Sequence, residues 1–152
     1  MYTKAEASFI KEKFWTSFGK YMSPVPSASD EKVNWVNYKT GVKGIFFKLN
    51  ANAFSASVSV EISLNDKMLQ HQYFDTFNNF VPQFNGLAGR DWLFMKDSYV
   101  ENKGEVSAIV MEIKNVNIFK QEDWPTLISF LKKYIIGLDA FWADYKPAFE
   151  LI

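Results

Sequence analysis

Phe54-Ser55-Ala56-Ser57-Val58-Ser59-Val60-Glu61-Ile62-Ser63-Leu64 is the stretch on which the fold class turns. Phe54, Ala56, Val58, Val60 and Ile62 alternate with Ser55, Ser57, Ser59, Glu61 and Ser63. Successive side chains of an extended chain point to opposite sides, so this period of two puts one face against a dry core and the other in water. A sheet built of such strands is covered on one side only. That is the antiparallel α+β arrangement, not the parallel sheet clothed on both faces.

Outward from that strand, Gly44–Leu49 reads as its neighbour in a hairpin. Pairing Leu49 with Phe54 across Asn50-Ala51-Asn52-Ala53 sets Ile45 and Phe47 beside Val58 and Ala56, and Lys48 beside Ser55 on the wet face. Val33–Tyr38 reads as a further strand, with Lys39-Thr40-Gly41-Val42-Lys43-Gly44 as the turn between the two. Downstream, Asp91–Tyr99 and Glu105–Lys114 are extended and are separated by Glu101-Asn102-Lys103-Gly104.

Three segments carry helical spacing. Lys4 to about Tyr21 has Phe9, Phe14, Trp15, Phe18 and Met22 on one side and stops at Ser23-Pro24-Val25-Pro26, where proline removes a donor. A second helix begins at Asn65-Asp66, repeats Met68, Tyr73, Phe77, Phe80 and Phe84, and is ended by Pro82 and Gly86. The third opens with Glu122-Asp123-Trp124-Pro125 and runs through Leu127, Ile128, Leu131, Ile135, Leu138, Phe141, Trp142 and Tyr145. The expectation is one α+β domain over 1–152. It has a mostly antiparallel sheet of about five strands, with an N-terminal, a middle and a long C-terminal helix packed on one face and the other face open.

Composition narrows the function classes. With 152 residues, 48% hydrophobic and 18% aromatic, the chain can bury a core of its own, which excludes disorder. The absence of cysteine excludes disulfides, thiolate chemistry and cysteine-held metals. Lys11, Glu12 and Lys13 interrupt any apolar leader, and about 18 consecutive apolar residues occur nowhere, so a cytoplasmic protein without membrane contact is expected. The net charge is zero, yet residues 1–50 hold eight lysines against four acids, leaving +4 there and −4 beyond. Arg90 is the one arginine among 17 basic residues, which tells against strong nucleic-acid binding by this domain alone.

Three stretches carry a resemblance. They are Phe14-Trp15-Thr16-Ser17-Phe18-Gly19-Lys20-Tyr21-Met22-Ser23-Pro24, Val33-Asn34-Trp35-Val36-Asn37-Tyr38-Lys39-Thr40-Gly41-Val42-Lys43-Gly44, and Val116-Asn117-Ile118-Phe119 with Asp123-Trp124-Pro125 and Asp139-Ala140-Phe141-Trp142. Together they resemble the bacterial domain-of-unknown-function family numbered 4268 over nearly the whole chain. Members of that family resemble either free-standing proteins or a C-terminal module behind a restriction-nuclease-like domain. The resemblance implies a DNA-processing neighbourhood. It implies no reaction and no catalytic residues.

The sharpest chemical pattern is Glu112-Ile113-Lys114 with Asp97 upstream. Two acids and a lysine at strand ends are what a metal-dependent phosphodiesterase of the PD-(D/E)xK type uses, the acids holding Mg²⁺ and the lysine assisting water. An acid two residues before a lysine is also common by chance, and a solvated salt pair explains it as well. His71, the single histidine, reads as a solvated helix residue and leaves few general-base designs. The binding reading uses an aromatic, Trp35 or Tyr38, on the wet face with Lys39, Lys43 and Lys48 near it, and Glu61 looks outward with the serines of the half-wet strand. The preferred expectation is a non-catalytic binding or accessory domain with a protein partner and no cofactor. The enzyme using Asp97, Glu112, Lys114 and Mg²⁺ is the alternative. Tyr134 and Ile136 widen the apolar arc of the last helix enough to leave a homodimer open.

Overall fold

The computed structural model describes residues 2–152. The first helix, α1, spans Lys4–Met22. Thr3 closes its N-terminus with a reciprocal pair of bonds, its hydroxyl accepting from the Glu6 amide while its own amide donates to the Glu6 carboxylate. Phe14, Phe18 and Met22, spaced by four, are fully buried.

The sheet contains β1 (Ile45–Ala51), β2 (Ser55–Ile62), β3 (Leu93–Val100) and β4 (Gly104–Lys114), in the order β1-β2-β4-β3 with every pairing antiparallel. The alternation in β2 does what its period requires. Ala56, Val58, Val60 and Ile62 are buried in the core, whereas Ser55, Ser57 and Ser59 keep contact with water. The β1–β2 register differs from the expected one by four residues: Leu49 faces Val58 and Ile45 faces Ile62. The Asn52 side chain sets it by accepting from the Phe54 and Ser55 amides and closing a tighter turn, which leaves Phe54 exposed outside the strand. An even shift keeps every side chain on its expected face.

Val33–Tyr38 is not a strand, so among the described residues the sheet has four strands and not five. Asn34 accepts from the Val36 and Asn37 amides, which spends locally the donors a ladder would need, and the indole of Trp35 donates to the Val25 carbonyl. Residues 23–44 form instead an irregular strap. The middle helix is two helices, α2 (Lys67–Asn79) and α3 (Val81–Ala88), because Pro82 sits in the first turn of α3, where its missing donor costs nothing. The β3 ladder is irregular between Met95 and Ser98.

A short 3₁₀ turn at Gln121–Asp123 leads into α4, Trp124–Glu150, whose 27 residues make it about 40 Å long. Gly137 of α4 allows α3 to come close, since a Cβ there would lie 2.9 Å from the Ala88 Cα. The core gathers residues of all four helices, such as Phe18, Phe77, Phe84, Leu131 and Phe141, against one sheet face.

Candidate interaction surface

The other sheet face is built by register. Ser57 stands opposite Glu112, Ser59 opposite Val110, and Glu61 opposite both Phe46 and Ala108, with Leu93 and Met95 continuing the rows onto β3. Phe46 is 43% exposed and Leu93 59%. Val106 and Ala108 lie low on this face, buried yet outside the core.

Glu61 organises one end of the face. Its Oε2 accepts from Lys48 Nζ at 2.8 Å and from Lys103 Nζ at 2.7 Å. Both ammonium groups also sit over the Phe46 ring, 5.5 Å and 5.4 Å from its centre. Burial alone would push the Glu61 carboxyl up, but the hydrogen bonds from Lys103 and Lys48 outweigh it and hold the group below its ordinary value. Lys103 is in turn held above the usual lysine value, chiefly by its bond to Glu61. The result is two cations on one carboxylate oxygen, fixed beside an exposed aromatic ring.

A second polar node lies on the covered side. Asp139 of α4, almost fully buried, accepts from Ser27 Oγ at 2.8 Å, the Ala28 amide at 2.7 Å and Tyr38 Oη at 2.6 Å. Burial, followed by the bond to Asp139, raises the Tyr38 phenol. Close by, the Trp142 indole donates to the Thr40 carbonyl at 2.8 Å. The strap and the Asp139–Trp142 turn of α4, two stretches that carry the sequence resemblance, are thereby tied to each other. The family model described as a domain of unknown function (DUF4268) matches residues 10–146 of the chain.

The chain belongs to the DUF4268 family. No curated protein and no solved structure matches it significantly. The DUF4268 match takes in both the Glu61 cluster and the Asp139 node.

In this DUF4268 domain the expected binding residues do not all share one surface. Lys48 and Glu61 meet on the open face, and Lys43 lies exposed just before β1. Of Trp35 and Tyr38, either of which the alternation would put on the wet side, Trp35 is buried in the core at 3% exposure, because the strap folds it under instead of extending it. Tyr38 is half-buried on Asp139, and with Lys39 it lines a cleft of about 240 Å³ against α4.

Asp97, Glu112 and Lys114 are likewise separated. Glu112 and Lys114 share the open face, as their spacing requires. Asp97 sits in the β3 irregularity and bonds His71 of α2 at 2.9 Å, on the helix side. Met95 pairs with Ala108, so Asp97 lies at least four β4 residues from Glu112, roughly 13 Å along the strand. A Mg²⁺ ion bound at about 2.1 Å cannot touch both. Among the described residues no three His, Cys, Asp or Glu side chains group as metal ligands.

Phe46, Lys103 and Asp139 escaped the sequence reading. Phe46 had a signal, since the parity that turns Ile45 and Phe47 inward turns it outward. Asp139 had one too, as an acid on the buried arc between Ile135 and Trp142. Lys103 had none, because its contact depends on the β3–β4 turn folding over β2.

Proposed function

We propose that this DUF4268 chain is a non-catalytic binding or accessory domain that holds a protein partner on its open sheet face. One observation carries the reading: helices cover a single face, and the other presents Phe46 beside a fixed Lys48–Glu61–Lys103 cluster, with Leu93 exposed on the far strand. An exposed aromatic ring next to ordered charges, with further apolar surface on the same face, has the makings of a protein contact. The DNA-processing setting implied by the resemblance makes a cytoplasmic nuclease or methyltransferase the first partner to try. No described helix is long and apolar enough to cross a membrane. Phosphodiester cleavage by Asp97, Glu112 and Lys114 draws no support from their positions.

A photo-crosslinking residue at Ser59, with a control at Ser129 of α4, tests the proposal in the native host. A single stoichiometric adduct from Ser59, absent from Ser129 and lost when Val110→Arg is added, supports it. Equal labelling from both positions refutes it. Mg²⁺-dependent cleavage lost in Glu112→Ala would replace it with the enzymatic reading.

A further inference from the structure

The open face ends in a groove of about 500 Å³ where β1 begins, β2 leaves the sheet and the β3–β4 turn folds over. Its walls combine the Phe46 ring with Leu64 and Leu69, and three lysines, Lys43, Lys67 and Lys103, surround them. The one acid there, Asp66, is already committed to the N-terminus of α2, where it accepts from the Leu69 amide at 3.1 Å. The groove therefore carries three cations against one anion. The neighbouring Glu61 does not reverse this, since a single carboxylate oxygen serves both Lys48 and Lys103. Lys43 comes from the lysine-rich first third of the chain, Lys67 from the start of α2 and Lys103 from the β3–β4 turn.

Resting on the reading of this face as a partner surface, we propose that the groove receives an acidic segment of the partner protein. A Glu or Asp of that segment sits between Lys43 and Lys103, and an adjacent apolar side chain packs on Leu64, Leu69 and the edge of Phe46. Charge complementarity selects the acid, because a third carboxylate balances cations that Glu61 and Asp66 leave in excess. The apolar walls select a protein over a nucleic acid. Two ammonium groups already lie over the Phe46 ring, so a stacking base would have to displace them, and no arginine lines the groove to fork onto phosphate. Glu61 acts as a preset spacer that holds Lys48 and Lys103 in place before the partner arrives, which lowers the ordering cost of binding.

The test is a backbone-amide NMR titration of the whole chain with a short synthetic peptide of alternating Glu and Leu. Its lysine counterpart and an oligothymidylate are run beside it. The acidic peptide is expected to give saturable shifts confined to residues 43–48, 61–69 and 101–105, and the lysine peptide none. Lys43→Glu with Lys103→Glu is expected to weaken binding by about tenfold or more, while amides away from residues 46–48 and 61–62, which the broken Lys103–Glu61 bond itself moves, stay in place. Lys43→Glu alone, at an exposed loop position, weakens it in the same direction. Absence of saturable shifts, or tighter binding of the oligothymidylate, overturns the proposal. Open-face shifts that survive the charge reversal overturn the acidic segment but leave the partner surface standing, whereas shifts centred on α1 around Phe9 overturn both.

Discussion

Replacing Asp139 by alanine removes the acceptor of three bonds at once, from Ser27 Oγ, the Ala28 amide and Tyr38 Oη. A hydrogen bond to a charged group contributes about 1.5–3 kcal/mol, and bonds converging on one carboxylate are not additive. Ser27 is itself buried and its hydroxyl otherwise bonds Ser29, while the half-buried phenol of Tyr38 can recover water. A loss of about 3 kcal/mol is therefore expected, worth roughly 6–12 °C in Tm for a domain of this size. Tyr38→Phe deletes one bond and is expected to cost about 1–2 kcal/mol. Urea unfolding followed by tryptophan fluorescence measures both, with Trp35 and Trp142 flanking the node. Because the two residues share a bond, Tyr38→Phe in the Asp139→Ala background should cost less than in the parent by about 1 kcal/mol. A loss below about 1 kcal/mol for Asp139→Ala, or strict additivity in the pair, would refute the claim that this carboxylate fastens the strap to α4.

The remaining expectations are simpler. Ser57→Lys on the open face, opposite Glu112, should change stability by no more than about 0.5 kcal/mol, whereas Val58→Lys, one residue along, should prevent folding; circular dichroism separates them. Gly137→Ala forces a Cβ to within 2.9 Å of the Ala88 Cα and 3.2 Å of two α3 carbonyls, so a loss of about 1–3 kcal/mol is expected in thermal unfolding. Glu61 has a lowered carboxyl, so its contribution is present above the unfolded value near 4.5 and is lost as pH falls through its folded value. Glu61→Gln should thus be less stable than the parent at pH 7, with the gap in urea midpoint closing as the pH is taken below 4.

The half-wet strand, the first helix and the long last helix were legible because each rests on a local period. Ala56, Val58, Val60 and Ile62 turned inward as their alternation demands, and α1 and α4 follow their apolar stripes. Register was not legible. Shifting β1 by four against β2 leaves the same faces dry, and only the Asn52 side chain chooses between the two pairings. Val33–Tyr38 has an alternation that Asn34 defeats by capturing two amides, so a short polar side chain overrode the pattern. Pro82 was read as a stop although it serves equally well as a start. The surface chemistry was half legible: parity puts Lys48 and Glu61 on one face, but the observed register is what makes them neighbours, and the contact of Lys103 with Glu61 spans 42 residues and that of Tyr38 with Asp139 spans 101. No local rule reaches across such distances.

The irregularity in β3 governs how copies of this protein can meet. An outer strand with an even ladder is a template that another chain can extend, and repetition of that event is how fibrils grow. Here Lys96 and Asp97 occupy a break in the spacing, both exposed, so an incoming strand would lose its hydrogen-bond rhythm there and meet charge. Association on this flank is thereby discouraged, and the broad side of the sheet can stay sticky without the protein polymerising along its rim.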